Sequence, residues 1–340
     1  MIIEAIRKVV DGESLNQSEA ERVMGEMMDG RTTSAQIACF VTALRMKGES
    51  VDEVTGFSKA MRQRAEHWPG EGRFERLVDT CGTGGDGGKT FNVSTAAALV
   101  AAAAGVDVVK HGNRAVSSQS GSADVLEALG IQTTLTPEKG VECLQRTHFC
   151  FLFAPQYHPA SRHAAQTRQE IRIRTVFNLL GPINNPAGAK NQVIGVYDAA
   201  WLRVLPEVLH NLGSSKVLFV ASEDGLDEIS VSARTQVAEL NRGKVRHYTV
   251  TPEELHLSRH GLEELGGGEA AYNAAILEAV FKGETGAARD MILANAAAAL
   301  YVADQVGSLR EGVGLAAKLI DSGAVWQKLT QLRQVTEELN

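Results

Sequence analysis

The pattern of apolar and polar positions divides the chain into two parts. Through residues 1–67, apolar side chains recur at helical spacing, as at Ile37, Phe40 and Leu44, and this spacing is typical of helices that bury one face. Residues 68–72 place proline next to glycine, which predicts a linker. We therefore expect a small N-terminal domain made of helices.

Beyond the linker, short apolar runs alternate with longer stretches of helical character. The runs lie at residues 77–78, 106–109, 149–153, 193–196 and 217–220. This alternation predicts an α/β domain over residues 73–340, with a mostly parallel central sheet flanked by helices. In such sheets ligands bind at the carboxyl ends of the strands, so the residues that follow each run are candidates for chemistry.

The first of these strand ends carries a glycine-rich loop. Five glycines fall within residues 82–88, between an apolar run and an alanine-rich helix. Glycine lets backbone N–H groups approach a ligand, and a helix N-terminus adds partial positive charge, so the loop is suited to an anion. Polar side chains at the helix start either cap the helix or bind the same ligand; these are Thr90, Asn92, Ser94 and Thr95.

The next strand ends in Lys110 and His111, and a loop of small residues follows at 117–122. This basic strand end argues against a dinucleotide-binding unit, although residues 82–87 satisfy G-x-G-x-x-G, because that unit needs an acidic side chain about 20 residues further on. A P-loop is excluded as well, since Thr83 stands where its first glycine would be. Both strand ends instead favour a phosphate-bearing ligand.

A third candidate site is the acidic segment after the run at residues 217–220. It places four carboxylates within six positions, namely Glu223, Asp224, Asp227 and Glu228. The residues alone leave two interpretations open. The segment is either a solvated acidic loop or a Mg²⁺ site, because Mg²⁺ takes oxygen ligands and is commonly held by one or two carboxylates plus substrate phosphate.

Composition narrows the class of protein. The chain of 340 residues has a net charge of −7, from 34 basic and 41 acidic side chains, which argues against a general nucleic-acid-binding protein. We expect no membrane-spanning segment. The four cysteines form no C-x-x-C pair, so we expect reduced thiols and a cytoplasmic location. No Ser-His-Asp or Cys-His arrangement is evident, so covalent catalysis has little support.

Taken together, the motifs resemble those of the anthranilate phosphoribosyltransferases, a family of the nucleoside-phosphorylase-like phosphoribosyltransferase class. The resemblance is carried by residues 81–86, 90–95, 110–118, 121–127 and 174–182 and extends over nearly the whole chain. It implies an enzyme of tryptophan biosynthesis that transfers phosphoribosyl from phosphoribosyl pyrophosphate (PRPP) to the amine of anthranilate. It also implies Mg²⁺ as cofactor and a homodimer formed through the helical domain.

The resemblance further implies which residues form the site. For PRPP they are Gly82, Gly85, Asp86, Thr90, Asn92, Val93, Ser94, Thr95, Lys110, His111, Gly112, Asn113, Arg114, Ala115, Val116, Ser117, Ser118 and Ser122. For anthranilate they are Gly82, His111, Asn113 and Arg168. For Mg²⁺ they are Ser94, Asp227 and Glu228, which decides the open question of the acidic segment in favour of a metal site. Catalysis is then electrostatic and positional, with no single catalytic side chain.

Two other functions are compatible with such a fold. A pyrimidine nucleoside phosphorylase would bind inorganic phosphate and a nucleoside, but residues 110–114 together with Asp227 and Glu228 speak against it. A non-enzymatic, nucleic-acid-binding relative would show a basic face and a degraded acidic pair, which the net charge and the intact pair disfavour. The acceptor is the least sharply specified part, because Asn113 and Arg168 suit several small aromatic carboxylates.

Overall fold

The computed structural model describes residues 1–84, 90–115 and 119–340. The α-helices are α1 (Ile2–Val10), α2 (Gln17–Met28), α3 (Ser34–Lys47), α4 (Val51–Arg62), α5 (Val93–Ala103), α6 (Ser122–Ala128), α7 (Pro137–Thr147), α8 (Ala154–Tyr157), α9 (Arg162–Ile171), α10 (Val176–Ile183), α11 (Leu205–Asn211), α12 (Ala270–Phe281), α13 (Ala287–Val302), α14 (Leu309–Asp321) and α15 (Ala324–Leu339). The strands are β1 (Leu77–Gly82), β2 (Asp107–Gly112), β3 (Phe149–Phe153), β4 (Asn191–Gly195), β5 (Lys216–Ser222), β6 (Thr235–Asn241) and β7 (Lys244–Val250). Across these described ranges, no helix combines the length and apolar character needed to cross a membrane.

Helices α1 to α4 form the N-terminal segment, as the spacing of apolar residues predicts. Helices α2, α3 and α4 each begin with a capping box, in which the side chain of Asn16, Thr33 or Ser50 accepts a hydrogen bond from the backbone three residues further on. Their buried side chains share one apolar core with α10, α11 and strands β4 and β5. A polar contact joins the same surfaces, because Arg62 Nη2 donates to the Ile183 carbonyl at 2.7 Å.

The central sheet positions the candidate site. Within the described residues its strands follow the order β3-β2-β1-β4-β5-β6-β7. The strands from β3 through β5 pair in parallel, and β6 and β7 continue the sheet antiparallel. The α/β fold with a mostly parallel sheet flanked by helices is therefore confirmed. Because β1, β2, β4 and β5 are parallel, their carboxyl ends meet at one edge, with β1 between β2 and β4.

Small side chains allow the helices to approach this sheet closely. Residues 96–102 of α5 and 296–300 of α13 are alanine, leucine or valine, and all are buried where the two helices pack together. Alanine keeps the backbones close while adding little side-chain bulk. The close packing matters for the site, because α5 begins at the glycine loop and α13 contacts the acidic segment.

A pair of glycines in α14 tests how tightly this layer is packed. A Cβ at Gly312 would lie 2.8 Å from Ala297 Cα of α13, whereas a Cβ at Gly314 would meet no heavy atom within 4 Å. We expect Gly312→Ala to lower the free energy of unfolding by about 1–3 kcal/mol, because the added methyl overpacks the interface. Gly314→Ala should raise it by about 0.5–1 kcal/mol, since alanine is the better helix former. Urea denaturation measures both; stabilisation by both variants would contradict the close packing.

Candidate functional site

The glycine loop and the acidic segment meet at the carboxyl edge of the sheet. Gly82, the last residue of β1, lies beside Gly195, the last residue of β4. The Gly84 N–H donates to Asp227 Oδ2 at 2.9 Å. A Cβ at Gly82 would lie 2.5 Å from that Oδ2, and a Cβ at Gly195 would lie 1.6 Å from the Asp227 carbonyl oxygen. The two glycines therefore leave the space that the acidic segment occupies.

The structure separates the four carboxylates of the acidic segment. Glu223 is exposed, whereas Asp227 is buried and Glu228 is half-buried. Asp224 accepts hydrogen bonds from the hydroxyls of Ser230, at 2.6 Å, and Ser232. Burial alone would raise the pKa of Asp224, but these hydroxyl donors lower it overall. The segment thus has a solvated and hydrogen-bonded part, Glu223 and Asp224, and a second part that faces the glycine loop.

Asn295 of α13 binds the backbone at the end of the acidic segment. It is 2% exposed, its Oδ1 accepts from the Ile229 N–H at 2.9 Å, and its Nδ2 donates to the Ile229 and Met291 carbonyls at 2.9 Å each. This residue belongs to none of the motifs described above. Its only signal in the sequence is a polar side chain within an alanine-rich helix.

Lys110 is buried beneath the start of α5. Its side chain is 1% exposed, and its Nζ donates to the Thr80 carbonyl at 2.6 Å and to Ser94 Oγ at 3.2 Å. Burial lowers the pKa of Lys110, while the carboxylates of Asp79 and Glu228 act in the opposite direction. The sequence-predicted Lys110 and Ser94 are therefore brought together, with the acidic segment within electrostatic range.

Asp79 is a second buried charge that the sequence analysis did not identify. It is fully buried in β1, where it accepts from the His111 N–H at 3.2 Å and from Asn185 Nδ2 at 2.8 Å. Burial raises the pKa of Asp79 to about 6, against the charge of nearby Lys110, which lowers it. Asn185 also donates to the Val109 carbonyl at 2.8 Å, so its amide links the middle of β1 to the middle of β2.

His111 lies next to a second histidine. The rings of His111 and His158 are 5.2 Å apart, and His158 Nε2 bonds to the Asn184 carbonyl at 2.9 Å. Burial, followed by the proximity of His158, lowers the pKa of His111 to about 3, so this imidazole is neutral at pH 7. Its Nε2 is buried and has no hydrogen-bond partner among the described residues. Such an atom is suited to a polar ligand.

The start of α5 and the start of α6 come together. Asn92 Nδ2 donates to the Ser120 carbonyl at 3.2 Å, and Ser122 Oγ donates to the Asn113 carbonyl at 3.4 Å. A Cβ at Gly112 would lie 2.1 Å from Ser122 Oγ, so this contact requires glycine. Four further predicted residues line or adjoin these loops: Thr90 pairs in a β-bridge with Gly266, Val93 and Thr95 are buried, and the Ala115 N–H donates to Asp124.

Two predicted arginines occupy other surroundings. Arg114 is exposed, and its guanidinium pairs with both carboxylate oxygens of Glu127 at 2.6 Å each. Arg168 projects from α9 with its Cζ 5.3 Å from the centre of the Phe177 ring. The predicted Gly85, Asp86, Val116, Ser117 and Ser118 lie outside the described residues.

The donor set at the carboxyl edge fits a hard cation. Ser94, Asp227 and Glu228 all offer oxygen, which Mg²⁺ prefers. Among the described residues, no group of three or more His, Cys, Asp or Glu side chains could hold a metal ion, and this edge offers two carboxylates and a hydroxyl. A metal at this edge would be held by Ser94, Asp227 and Glu228, and Mg²⁺ held by one or two carboxylates commonly takes further oxygen ligands from a phosphate.

The burial of neutral His111 predicts a pH dependence of stability. The unfolded chain takes up a proton near the ordinary histidine pKa of about 6.5, whereas the folded chain resists it until about pH 3. Between these values the unfolded state binds more protons, so stability falls as the pH drops, by up to about 1.4 kcal/mol per pH unit. We expect His111→Gln to flatten this slope between pH 6.5 and 5, measured by urea denaturation. The exposed His163→Gln is the control, and an unchanged slope in His111→Gln would contradict the assignment.

Two family models match the chain. A family model described as the helical bundle domain of a glycosyl transferase family matches residues 3–65. A second model, the a/b domain of the same family, matches residues 74–326. The two models together account for most of the chain.

Individual relatives are more specific. The anthranilate phosphoribosyltransferase of Brevibacillus brevis is 53% identical over 335 residues, 98% of each chain. Among solved structures, that of the Thermus thermophilus enzyme has a TM-score of 0.92 at 42% identity and covers 98% of this chain and 99% of its own. The Saccharomyces cerevisiae enzyme, in complex with PRPP and Mg, has a TM-score of 0.89 at 25% identity, covering 99% and 98%. The chain therefore belongs to the anthranilate phosphoribosyltransferase family.

Proposed function

We propose that this protein transfers the phosphoribosyl group of PRPP to the amine of anthranilate, giving N-(5-phosphoribosyl)anthranilate and pyrophosphate. This reaction is the second step of tryptophan biosynthesis from chorismate. The observation that carries the proposal is the contact of the glycine loop with the acidic segment, Gly84 N–H to Asp227, at the carboxyl edge of the sheet. It brings an anion-binding loop and a cation-binding pair together, and PRPP needs both.

The PRPP end of the site is built mainly from backbone and hydroxyl groups. In the proposal, the loop from Gly82 and the N-terminus of α5 receive the phosphate oxygens, because both present N–H groups and partial positive charge. Ser94 and Thr95 lie in the first turn of that helix. Lys110 adds a positive charge next to Ser94, and the hydrogen bond from Lys110 Nζ to Ser94 Oγ holds that ammonium group in place.

The reaction depends on stabilising a leaving group. The bond from the ribose anomeric carbon to pyrophosphate breaks, oxocarbenium-like charge develops on the ribose, and a carbon–nitrogen bond forms to the amine. Pyrophosphate carries away the electron pair, and the amine loses one proton to solvent. Ser94, Asp227 and Glu228 would hold Mg²⁺, which when bound would supply positive charge near the leaving oxygens. The loop N–H groups stabilise the same charge, a contribution that is often the largest in catalysis.

The anthranilate end is proposed to lie around His111, with Gly82, Asn113 and Arg168. The aromatic amine is neutral at pH 7, so its attack needs positioning more than a strong base. Neutral His111 offers a buried Nε2 to a polar group of the acceptor, and Arg168 offers its guanidinium to the carboxylate. Because the Phe177 ring supports the Arg168 guanidinium, the side chain is partly ordered before the acceptor arrives.

The remaining expectations belong to the same proposal. We infer a helical domain at residues 1–67 that forms a homodimer, an α/β domain at residues 73–340, and a cytoplasmic location. Exposed apolar side chains on the helical segment support the dimer, with Met46 84% and Val10 62% exposed. Neither a nucleoside phosphorylase nor a nucleic-acid-binding role gains a specific observation, since the relatives described above all carry the transferase name.

A fluorescence assay tests the reaction and the metal together. Anthranilate is fluorescent, so its consumption is followed with PRPP and Mg²⁺, and again with EDTA. We expect loss of fluorescence only when PRPP and Mg²⁺ are both present. Asp227→Asn combined with Glu228→Gln should abolish this turnover, because both carboxylate charges are lost. Asn at 227 can still accept from the Gly84 N–H, so we expect the fold to persist.

The exposed carboxylate of the same loop provides a matched control for that variant. Glu223→Gln removes a charge that faces solvent and should leave turnover near that of the unaltered protein. Turnover in the double variant equal to that in Glu223→Gln would remove the metal assignment. A folded, unaltered protein that consumes no anthranilate under any of these conditions would refute the proposed reaction.

A substitution of Arg168 tests the acceptor end. We expect Arg168→Ala to raise the KM for anthranilate by about 10-fold to 100-fold, the usual cost of losing a charge-assisted hydrogen bond, while the KM for PRPP changes little. Steady-state kinetics with each substrate varied in turn measures both constants. Arg162→Ala, at the start of the same helix, is the control. Equal increases in both KM values would move Arg168 out of the acceptor pocket.

A further inference from the structure

A buried asparagine far along the chain contacts the start of the PRPP-binding helix. Asn273 lies in the first turn of α12 and is 2% exposed. Its Oδ1 accepts from the Gly268 N–H at 2.8 Å, and its Nδ2 donates to Asn92 Oδ1 at 2.9 Å, across 181 positions of sequence. No motif in the sequence points to this residue.

The direction of these hydrogen bonds follows from one backbone group. A backbone N–H can only donate, so the Gly268 N–H requires an oxygen, Oδ1, on the near side of the Asn273 amide. The Asn273 Nδ2 then faces Asn92 and donates to its Oδ1. Ser120 Oγ donates to the same Asn92 oxygen at 3.3 Å. The Asn92 amide nitrogen therefore points the other way, and it donates to the Ser120 carbonyl at 3.2 Å.

The Gly268 N–H, which sets the orientation of the Asn273 amide, belongs to a segment that packs against the start of α5. Thr90 and Gly266 form an antiparallel β-bridge. A Cβ at Gly267 would lie 2.3 Å from the Thr90 carbonyl oxygen and 2.5 Å from the Phe91 nitrogen, so the two backbones touch directly. Because the segment of Gly268 is held against the segment of Asn92, the Asn273 amide bridges two points whose separation is set by the backbone.

We propose that Asn273 is a positioning residue that holds the Asn92 amide with its NH₂ group toward bound PRPP. The inference rests on the proposed function, which places Asn92 at the PRPP site. An amide nitrogen has two N–H donors; the Ser120 carbonyl takes one, and an oxygen of PRPP takes the other. The reversed amide would turn an oxygen toward the anion and toward the Ser120 carbonyl, and both contacts are repulsive. Asn273, which does not contact the substrate, thereby determines which atom of the Asn92 amide faces PRPP.

The substitution Asn273→Asp reverses the direction of the hydrogen bond between residues 273 and 92 with almost no change in side-chain shape. A carboxylate still accepts from the Gly268 N–H but has no hydrogen to donate, so Asn92 must turn its Nδ2 toward it. We expect the Kd for PRPP, measured by titration calorimetry, and the KM for PRPP to rise about 10-fold to 100-fold, as for a lost bond to a charged group. The KM for anthranilate should change little. Asn273→Ala only releases the Asn92 amide, so it should weaken PRPP binding less than Asn273→Asp does.

Three comparisons make the result decisive. Asn211→Asp adds the same charge at an exposed position at the end of α11 and should leave the Kd for PRPP unchanged. On an Asn92→Ala background, Asn273→Asp should weaken PRPP binding no further, because the residue acts through Asn92. Equal losses of PRPP affinity and melting temperature in Asn273→Asp and Asn273→Ala would show a merely structural role and overturn the inference.

The unaltered protein separates this inference from the proposed function. If it binds PRPP and consumes anthranilate while Asn273→Asp binds PRPP equally well, the inference fails and the proposed function stands. If the unaltered, folded protein binds no PRPP, the proposed function itself fails, and the inference fails with it.

Discussion

The hydrogen bond from the Gly84 N–H to the Asp227 carboxylate joins two loops that are 143 positions apart, and the geometry of the site depends on it. It forms only because β1 and β4 end side by side in Gly82 and Gly195, which have no side chains where Asp227 lies. Asn295 fixes the other side of the acidic segment through two hydrogen bonds to the backbone of Ile229, and a third hydrogen bond joins its amide to Met291 of its own helix. The acidic segment is thus positioned by the glycine-loop backbone on the Asp227 side and by the buried Asn295 amide on the Ile229 side.

Beneath this contact lie two buried charges whose burial has to be compensated. An unpaired charge in an apolar interior is strongly unfavourable, so each must be paired or hydrogen-bonded. Lys110 is satisfied by the Thr80 carbonyl and Ser94 Oγ, and Asp79 by the His111 N–H and Asn185. Because these partners belong to β1, β2, the start of α5 and the segment that follows α10, the two charges hold these four parts of the fold in one arrangement. Such preorganisation is what positional and electrostatic catalysis requires.

The sequence predicted the parts of this protein that are encoded locally. Helical spacing, alternating apolar runs and the glycine-rich stretch each lie within a few neighbouring positions, and the fold they predict is the one observed. Lys110, Ser94 and Asp227 were found from motifs and meet at one edge, although their individual roles stay predictions. Asn185 and Asn273 were missed because their partners lie 106 and 181 positions away, and an isolated asparagine gives no local signal of such a contact.

Three of the residues that no motif indicated are asparagines, and the chemistry of the side-chain amide explains why asparagine is suited to these positions. An anion-binding site beside a metal-binding pair already contains strong charges of both signs, and another charged side chain would compete with the ligands. An amide carries a donor and an acceptor at a fixed angle and stays neutral at every pH, so it can fix the orientation of a neighbour without adding charge. Asn295 does this for the acidic segment, Asn185 for Asp79, and Asn273 for Asn92. Neutral amide groups therefore fix the orientation of their neighbours at the site, and in the proposed function the charges remain available to substrate and metal.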